Sequence, residues 1–172
     1  MTYVDTAGNL ATAGPSGTAN SNLGLGVYSG TSPSITGYSS SYQVVFSASG
    51  SHDLYDYGTT YSGDAGYTTL AGTSPSVAGT TAGCCQDAFV NTSGDLETVG
   101  PVGNETPSLG VASGTSPTIA GIATGGYEVA FLGSGTDALW IYGTFPSSYS
   151  WNDTGLTGES GTTPSISPRL IP

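Results

Sequence analysis

Few side chains in this sequence can carry out chemistry. It holds one histidine, His52, one strong base, Arg169, one adjacent cysteine pair, Cys84-Cys85, and twelve carboxylates. A hydrolase needs a nucleophile held by a base, or two carboxylates facing a cleft. His52 stands in Gly50-Ser51-His52-Asp53, the composition of a hairpin turn, where a solvated turn residue is the ordinary state. No G-x-S-x-G elbow occurs, and Gly24-Leu25-Gly26 lacks the lysine and helix that cradle a phosphate. The carboxylates are scattered, so Asp53 and Asp56 read as solubilising surface charge. Acidic side chains and turn carbonyls are calcium ligands, which leaves calcium as the one metal to consider, although no EF-hand spacing occurs. Two cysteines alone cannot complete a zinc site. They read as two buried thiols on a strand, with a vicinal disulfide or a bond between chains as the alternatives. The expectation is a protein that binds without catalysing, and without a cofactor.

Charge excludes more. The formal net charge is -11, so phosphates would meet almost no Lys or Arg, and neither nucleic acid nor an anionic membrane surface is an expected partner. No run of about 18 apolar residues exists to span a bilayer. Met1-Thr2-Tyr3-Val4-Asp5 lacks the charged and apolar regions of a signal peptide. With 28 Gly and 10 Pro among 172 residues the chain approaches low complexity, yet 10% aromatic residues are enough to fill the core of one domain. Ser, Thr, Tyr, Val and Gly in place of Ala, Leu, Glu, Lys and Arg make strands and turns the material of the fold.

The elements that must position any site are set by a repeat. Gly30-Thr31-Ser32-Pro33-Ser34-Ile35 returns as Gly72-Thr73-Ser74-Pro75-Ser76-Val77, as Gly114-Thr115-Ser116-Pro117-Thr118-Ile119, and as Gly161-Thr162-Thr163-Pro164-Ser165-Ile166. After the first three copies comes a strand-like segment, Tyr42 to Phe46, Cys85 to Phe89 and Tyr127 to Phe131. A Gly/Asp/Ser turn then leads to Leu54 to Gly58, Leu96 to Gly100 and Leu139 to Gly143. A weaker fourth strand closes each unit, as in Leu23 to Val27 and Ser108 to Val111. Proline fixes φ and extends the residue before it, so Thr-Ser-Pro is a strand leader and a structural feature.

Four short strands per unit, apolar on both faces, predict an all-β fold: a small β-propeller of four roughly 42-residue, four-stranded blades. The blades are 30–71, 72–113, 114–160, and a composite of 161–172 with 1–29. Tyr3-Val4-Asp5-Thr6-Ala7-Gly8-Asn9-Leu10 aligns with Phe89-Val90-Asn91-Thr92-Ser93-Gly94-Asp95-Leu96, so the chain starts in the second strand of a unit whose first strand stands at the far end. Pairing of the two ends would close the ring and remove its unpaired edges.

The pattern G-T-S-P-S-I, then G-G-Y-E-V-A-F, then G-x-L-W, read at Gly114 to Ile119, Gly125 to Phe131 and Leu139-Trp140, resembles tandem repeats of secreted actinobacterial proteins. It is more distantly similar to Photorhabdus-type and tachylectin-like lectin propellers, although those usually close with five to seven blades. The resemblance implies a non-enzymatic, lectin-like function with sugars in shallow pockets near the blade loops, stacked on an aromatic ring at the L-W position. That position reads Ala11, Tyr55, Glu97 and Trp140, so Tyr55 and Trp140 are the candidate platforms; filling space between blades is the competing role for each.

The loop from Gly143 to Leu156 is longer than its counterparts, and extra length in a repeat commonly maps to a binding face. It carries Phe145, Tyr149 and Trp151, of which Tyr149 and Trp151 point the same way if extended, flanked by Asn152 and Asp153 as hydroxyl acceptors. The expected partner is a glycan or polysaccharide, with other virion or surface proteins as further partners. The expected location is an extracellular or virion surface. A structural decoration or tail-associated virion subunit, binding proteins and no sugar, is the alternative function.

Overall fold

A computed structural model describes residues 1–13, 21–38, 40–59, 61–123, 125–144 and 149–168. Among these residues there are strands and turns and no helix, in four antiparallel sheets taken in chain order. The first contains β1 (Thr2–Val4), β2 (Asn9–Thr12) and β3 (Ser21–Gly26). The second contains β4 (Ser34–Tyr38), β5 (Ser41–Ser47), β6 (Asp53–Gly58) and β7 (Ser62–Thr68). The third contains β8 (Ser76–Thr80), β9 (Gly83–Val90) and β10 (Leu96–Val99). The fourth contains β11 (Thr118–Gly121), β12 (Tyr127–Leu132), β13 (Ala138–Gly143) and β14 (Ser150–Thr157). The weak strand expected at 108–111 appears only as single bridges, Asp95 to Gly110 and Val111 to Gly133.

The repeat in sequence becomes a repeat in hydrogen bonds. Thr31, Thr73, Thr115 and Thr162 each close the same turn, the hydroxyls donating to the carbonyls of Tyr28, Leu70, Ala112 and Glu159. The preceding Gly30, Gly72, Gly114 and Gly161 all have φ near +80°, where a Cβ is strained. The first strands of successive units then lie side by side, joined by Ser hydroxyls. The Ser32 amide donates to Ser74 Oγ, the Ser74 amide to Ser116 Oγ, and the Ser116 amide to Thr163 Oγ1. In the opposite direction the Val77 amide donates to Ser34 Oγ and the Ile119 amide to Ser76 Oγ.

The core is correspondingly divided into three layers between sheets. Leu10, Val27, Val44 and Phe46 fill the space between the first and second sheets; Val45, Leu54, Val77 and Phe89 fill that between the second and third. Leu96, Val111, Val129 and Phe131 lie between the third and fourth. Strands apolar on both faces are therefore required, which is why Val44 and Val45 are consecutive and both fully buried.

The hairpin from β1 to β2 repeats that from β9 to β10. Asp5 Oδ1 accepts from the Ala7 and Asn9 amides as Asn91 Oδ1 accepts from those of Ser93 and Asp95. The first sheet thus lacks the first strand of a unit, as the alignment of the two ends implied. Residues 161–168 form the fourth unit's opening turn and reach the start of β11, where Thr118 Oγ1 donates to the Pro164 carbonyl, but they form no strand. Pairing between this segment and β1 is not seen among the described residues.

Candidate functional site

Between the second and third sheets lies a cavity of about 210 Å³, lined by Gln43, Asp56 and Tyr61 on one side and by Cys84, Cys85 and Asp87 on the other, with Val99 to Pro101 along its margin. The repeat explains why a hollow forms here. Cys85 occupies the place in its unit that Tyr127 occupies in the next, and Asp56 the place of Thr98. Between the third and fourth sheets the Tyr127 ring fills the gap and its hydroxyl meets Thr98 Oγ1 at 2.8 Å. Between the second and third the ring is missing, and a cysteine pair stands in its place.

The lining is rich in oxygen acceptors. Gln43 Nε2 donates to Asp56 Oδ1 and to the Tyr61 carbonyl, both at 3.1 Å, which turns Gln43 Oε1 away with no hydrogen-bond partner among the described residues. Asp87 Oδ1 is likewise buried without a partner. Burial pushes the Asp87 carboxyl well above the usual carboxylate range, and the neighbouring Asp56 charge adds to this. Asp56 is raised by burial too, against a smaller lowering by the Gln43 hydrogen bond. Two carboxyl groups thus line a space that holds few donors. Such a site can receive hydroxyl or ammonium donors, and it disfavours another anion.

Two expectations are corrected here. Asp56 is buried, not solubilising surface charge, because Gln43 on the adjacent strand holds it in the layer between sheets. Cys84 and Cys85 are joined to each other, not two thiols, and the pair supplies a small apolar wall to the cavity. Neither Gln43 nor Asp87 stood out in the sequence. The available signal was Asp87 at a position that reads Val44 and Val129 in the neighbouring units.

The residues singled out from sequence fall in other places. Tyr55 packs on Phe46 at 5.3 Å between the first and second sheets. Trp140, half-buried against the third sheet, has its ring 5.1 Å from that of Trp151, which is 59% exposed. Tyr149 lies 6.3 Å from Tyr142 in a stacked arrangement, and its hydroxyl donates to the Val102 carbonyl at 2.8 Å. Trp140, Tyr142, Tyr149 and Trp151 therefore share one sheet face, as alternation along β13 and β14 requires. The stretch read as a loop is, from Ser150 onward, the fourth strand of its sheet; Phe145 lies outside the described residues.

Asn152 lies on the opposite face. With Glu128, Ile141, Gly143 and Ser150 it lines a second hollow, about 240 Å³, on the face of the fourth sheet turned away from the third. Asp153 Oδ1 accepts from the Gly155 amide at 2.9 Å, a bulge repeated by Asp64 with Gly66 and by Asn22 with Gly24. His52 is a turn residue with φ of 64°, its ring against Tyr28. Among the described residues no three His, Cys, Asp or Glu side chains cluster as a metal would need.

With this geometry in view, the likeness to a known protein is specific in fold. The architecture is similar to that of a lectin. One matching structure is a mutant Aleuria aurantia lectin in complex with Fucα1-6GlcNAc; it agrees with a TM-score of 0.59 at 16% identity over 87% of this chain. The match covers 54% of that lectin, so this chain spans about half its length. No family model and no curated protein matches the sequence.

Proposed function

We propose that this protein is a non-enzymatic carbohydrate-binding module of the β-propeller lectin type, and that the cavity between the second and third sheets receives the sugar. The observation that carries the reading is the acceptor-rich lining of that cavity, which brings Gln43 and Asp56 from one sheet together with Asp87 from the next, Gln43 Oε1 and Asp87 Oδ1 being buried without a partner among the described residues. A ligand with several hydroxyl donors can hydrogen-bond to the carboxyl oxygens of such a lining. Neutral sugars have that chemistry and a C–H face to set against the Cys84-Cys85 wall. Acidic sugars do not fit, given two carboxyl groups in the lining and a net charge of -11. The fold's likeness to a lectin supports the same class.

The exposed Trp151 ring beside Trp140 is a second surface able to stack a sugar. Screening the wild-type chain on a panel of neutral and acidic glycans, followed by titration with Asp87→Asn and Trp151→Ala, tests the reading and separates the two places. Binding of neutral glycans that Asp87→Asn weakens supports the cavity. Binding lost only in Trp151→Ala moves the site to the tryptophan face. No binding to any glycan across the panel removes the proposed function.

A further inference from the structure

Both ends of the stack of sheets are unfinished, and each shows what the other lacks. At the head, Ile35 is 40% exposed, whereas Val77 and Ile119 at the same place in the next two units are 5% and 7% exposed. Val77 is covered because the first strand of the preceding unit lies beside it, its Ser34 hydroxyl taking the Val77 amide. No such strand precedes β4, since the first sheet begins with β1. Tyr3 gives the same evidence one strand further out. It is 42% exposed, while the equivalent Phe46, Phe89 and Phe131, each turned toward the preceding sheet, are 1% exposed.

At the tail, residues 161–166 repeat the missing strand and already hold its starting position. Thr163 Oγ1 is the last acceptor in the ladder that runs through Ser74 and Ser116. Among the described residues the outward face of the fourth sheet is only partly covered, Leu132 being buried and Ile141 half-buried. Leu139 is only half-buried there, although the equivalent Leu54 and Leu96 are fully buried under the following sheet. The hollow over Glu128, Ile141 and Asn152 occupies the place that Gln43 and Asp56 take in the cavity two sheets earlier. It is the first half of another inter-sheet pocket.

We propose that a second copy of this chain completes both ends by head-to-tail association. The 161–166 segment of one copy pairs with β1 of the other and makes its first sheet four-stranded. In this junction the Thr163 amide donates to Ser32 Oγ of the other copy, and that copy's Ile35 amide donates to Ser165 Oγ. These contacts continue the two hydrogen-bond ladders without changing their register. Tyr3 of the second copy covers Leu139, and its first sheet closes the hollow over Glu128 and Asn152 into a pocket shared by two chains. The contact is heterologous, so copies joined this way turn in one sense and can close into a ring. A chain spanning about half of a lectin that it resembles is of suitable size for such sharing. The interface extends a packing already formed three times within the chain, which argues for another copy over an unrelated protein.

Light scattering of the purified 172-residue chain, with its 17.0 kDa mass as reference, tests this independently of any sugar. The expected particle has at least two chain masses. Ile35→Asp and Tyr3→Asp alter head positions already exposed in the single chain, so circular dichroism should stay unchanged while the mass falls to one chain. Leu139→Asp should do the same from the tail. Mixing Ile35→Asp with Leu139→Asp should restore a two-chain particle, because one junction then joins an unaltered tail to an unaltered head. A wild-type particle of one chain mass, an assembly indifferent to all three substitutions, or failure of the mixture to associate would overturn the proposal. Glycan binding by a one-chain particle would leave the proposed function standing while removing this one.

Discussion

The Tyr127 hydroxyl and Thr98 Oγ1 meet at 2.8 Å between the third and fourth sheets, both side chains fully buried. One layer earlier the equivalent positions hold Cys85 and Asp56, and a cavity opens. A substitution at two places in a repeat therefore converts a packed seam into a hollow.

The packed seam makes the first prediction. Tyr127→Phe leaves the Thr98 hydroxyl without its partner and should cost about 1–3 kcal/mol in urea unfolding. Adding Thr98→Val removes the orphan and should recover most of that loss. If the double variant is no more stable than the single one, the hydrogen bond is not what holds the seam.

A second prediction concerns pH. Burial raises the Asp87 carboxyl, and to a lesser degree Asp56, above the value of 3.8 that each has when unfolded. Between the unfolded and folded values the native state holds more protons, so stability must fall as pH rises through that window and level off above the folded values. The wild-type protein should thus be more stable near pH 4 than at neutral pH. Asp87→Asn should flatten this slope and raise stability at neutral pH, measured as unfolding midpoints from pH 4 to pH 8. Parallel profiles for the two proteins would show that Asp87 is charged at little cost.

The alkaline limb supplies a third. Burial, helped by the Glu105 and Tyr149 charges, pushes the Tyr142 phenol up to about 12, and burial raises Tyr127 further. These phenols should stay protonated when exposed tyrosines ionise near pH 10, and stability should fall as pH rises above 10 toward their folded values. Ultraviolet titration should show a late fraction of tyrosinate absorbance that appears with loss of structure. A single early transition for all the tyrosines would contradict the burial of Tyr127 and Tyr142.

Binding gives a fourth. If a neutral sugar occupies the cavity, Asp87→Asn and Asp56→Ala should each weaken it by about 10- to 100-fold, equal to roughly 1.4–2.7 kcal/mol. Isothermal titration against a glycan selected by the panel reads this directly, and equal affinities for wild type and both variants would exclude the cavity.

Close approach of the first strands gives a fifth. A Cβ at Gly121 would run into the Gly79 carbonyl oxygen, a backbone atom that cannot swing aside. Gly121→Ala should therefore destabilise the protein by more than the 0.5 kcal/mol typical of surface changes, by about 2–3 kcal/mol on the scale of overpacked cores. Gly37→Ala, with open space around its Cβ position, is the matched control. Equal unfolding midpoints for the two variants would mean that the first strands can separate.

Much of the architecture was legible because it repeats. Four copies of Gly-Thr-(Ser/Thr)-Pro fix the turns, and each Thr hydroxyl closes its own turn with a residue three positions back, a local contact. The match between Tyr3 to Leu10 and Phe89 to Leu96 likewise reported the missing first strand, since the Asp5 and Asn91 turns are also local. The aromatic run Tyr149 to Trp151 was visible as unusual. Its assignment to a strand was not, because pairing with β13 rather than composition decides it.

The cavity was illegible for a related reason. Asp56 and Asp87 stand on different sheets, and nothing in their spacing shows that they face one layer. Gln43 is equally silent: its amide becomes a site feature only once Asp56 and the Tyr61 carbonyl claim its donors and leave its oxygen turned away. By itself the sequence determined the strand-and-turn chemistry, the repeat unit and the poverty of catalytic groups, since each is set within a few residues. Tertiary structure alone decided which carboxylates are buried, where the rings meet and which faces remain uncovered. Those properties depend on how one sheet stacks upon the next, a relation between residues some 40 positions apart that share no local contact.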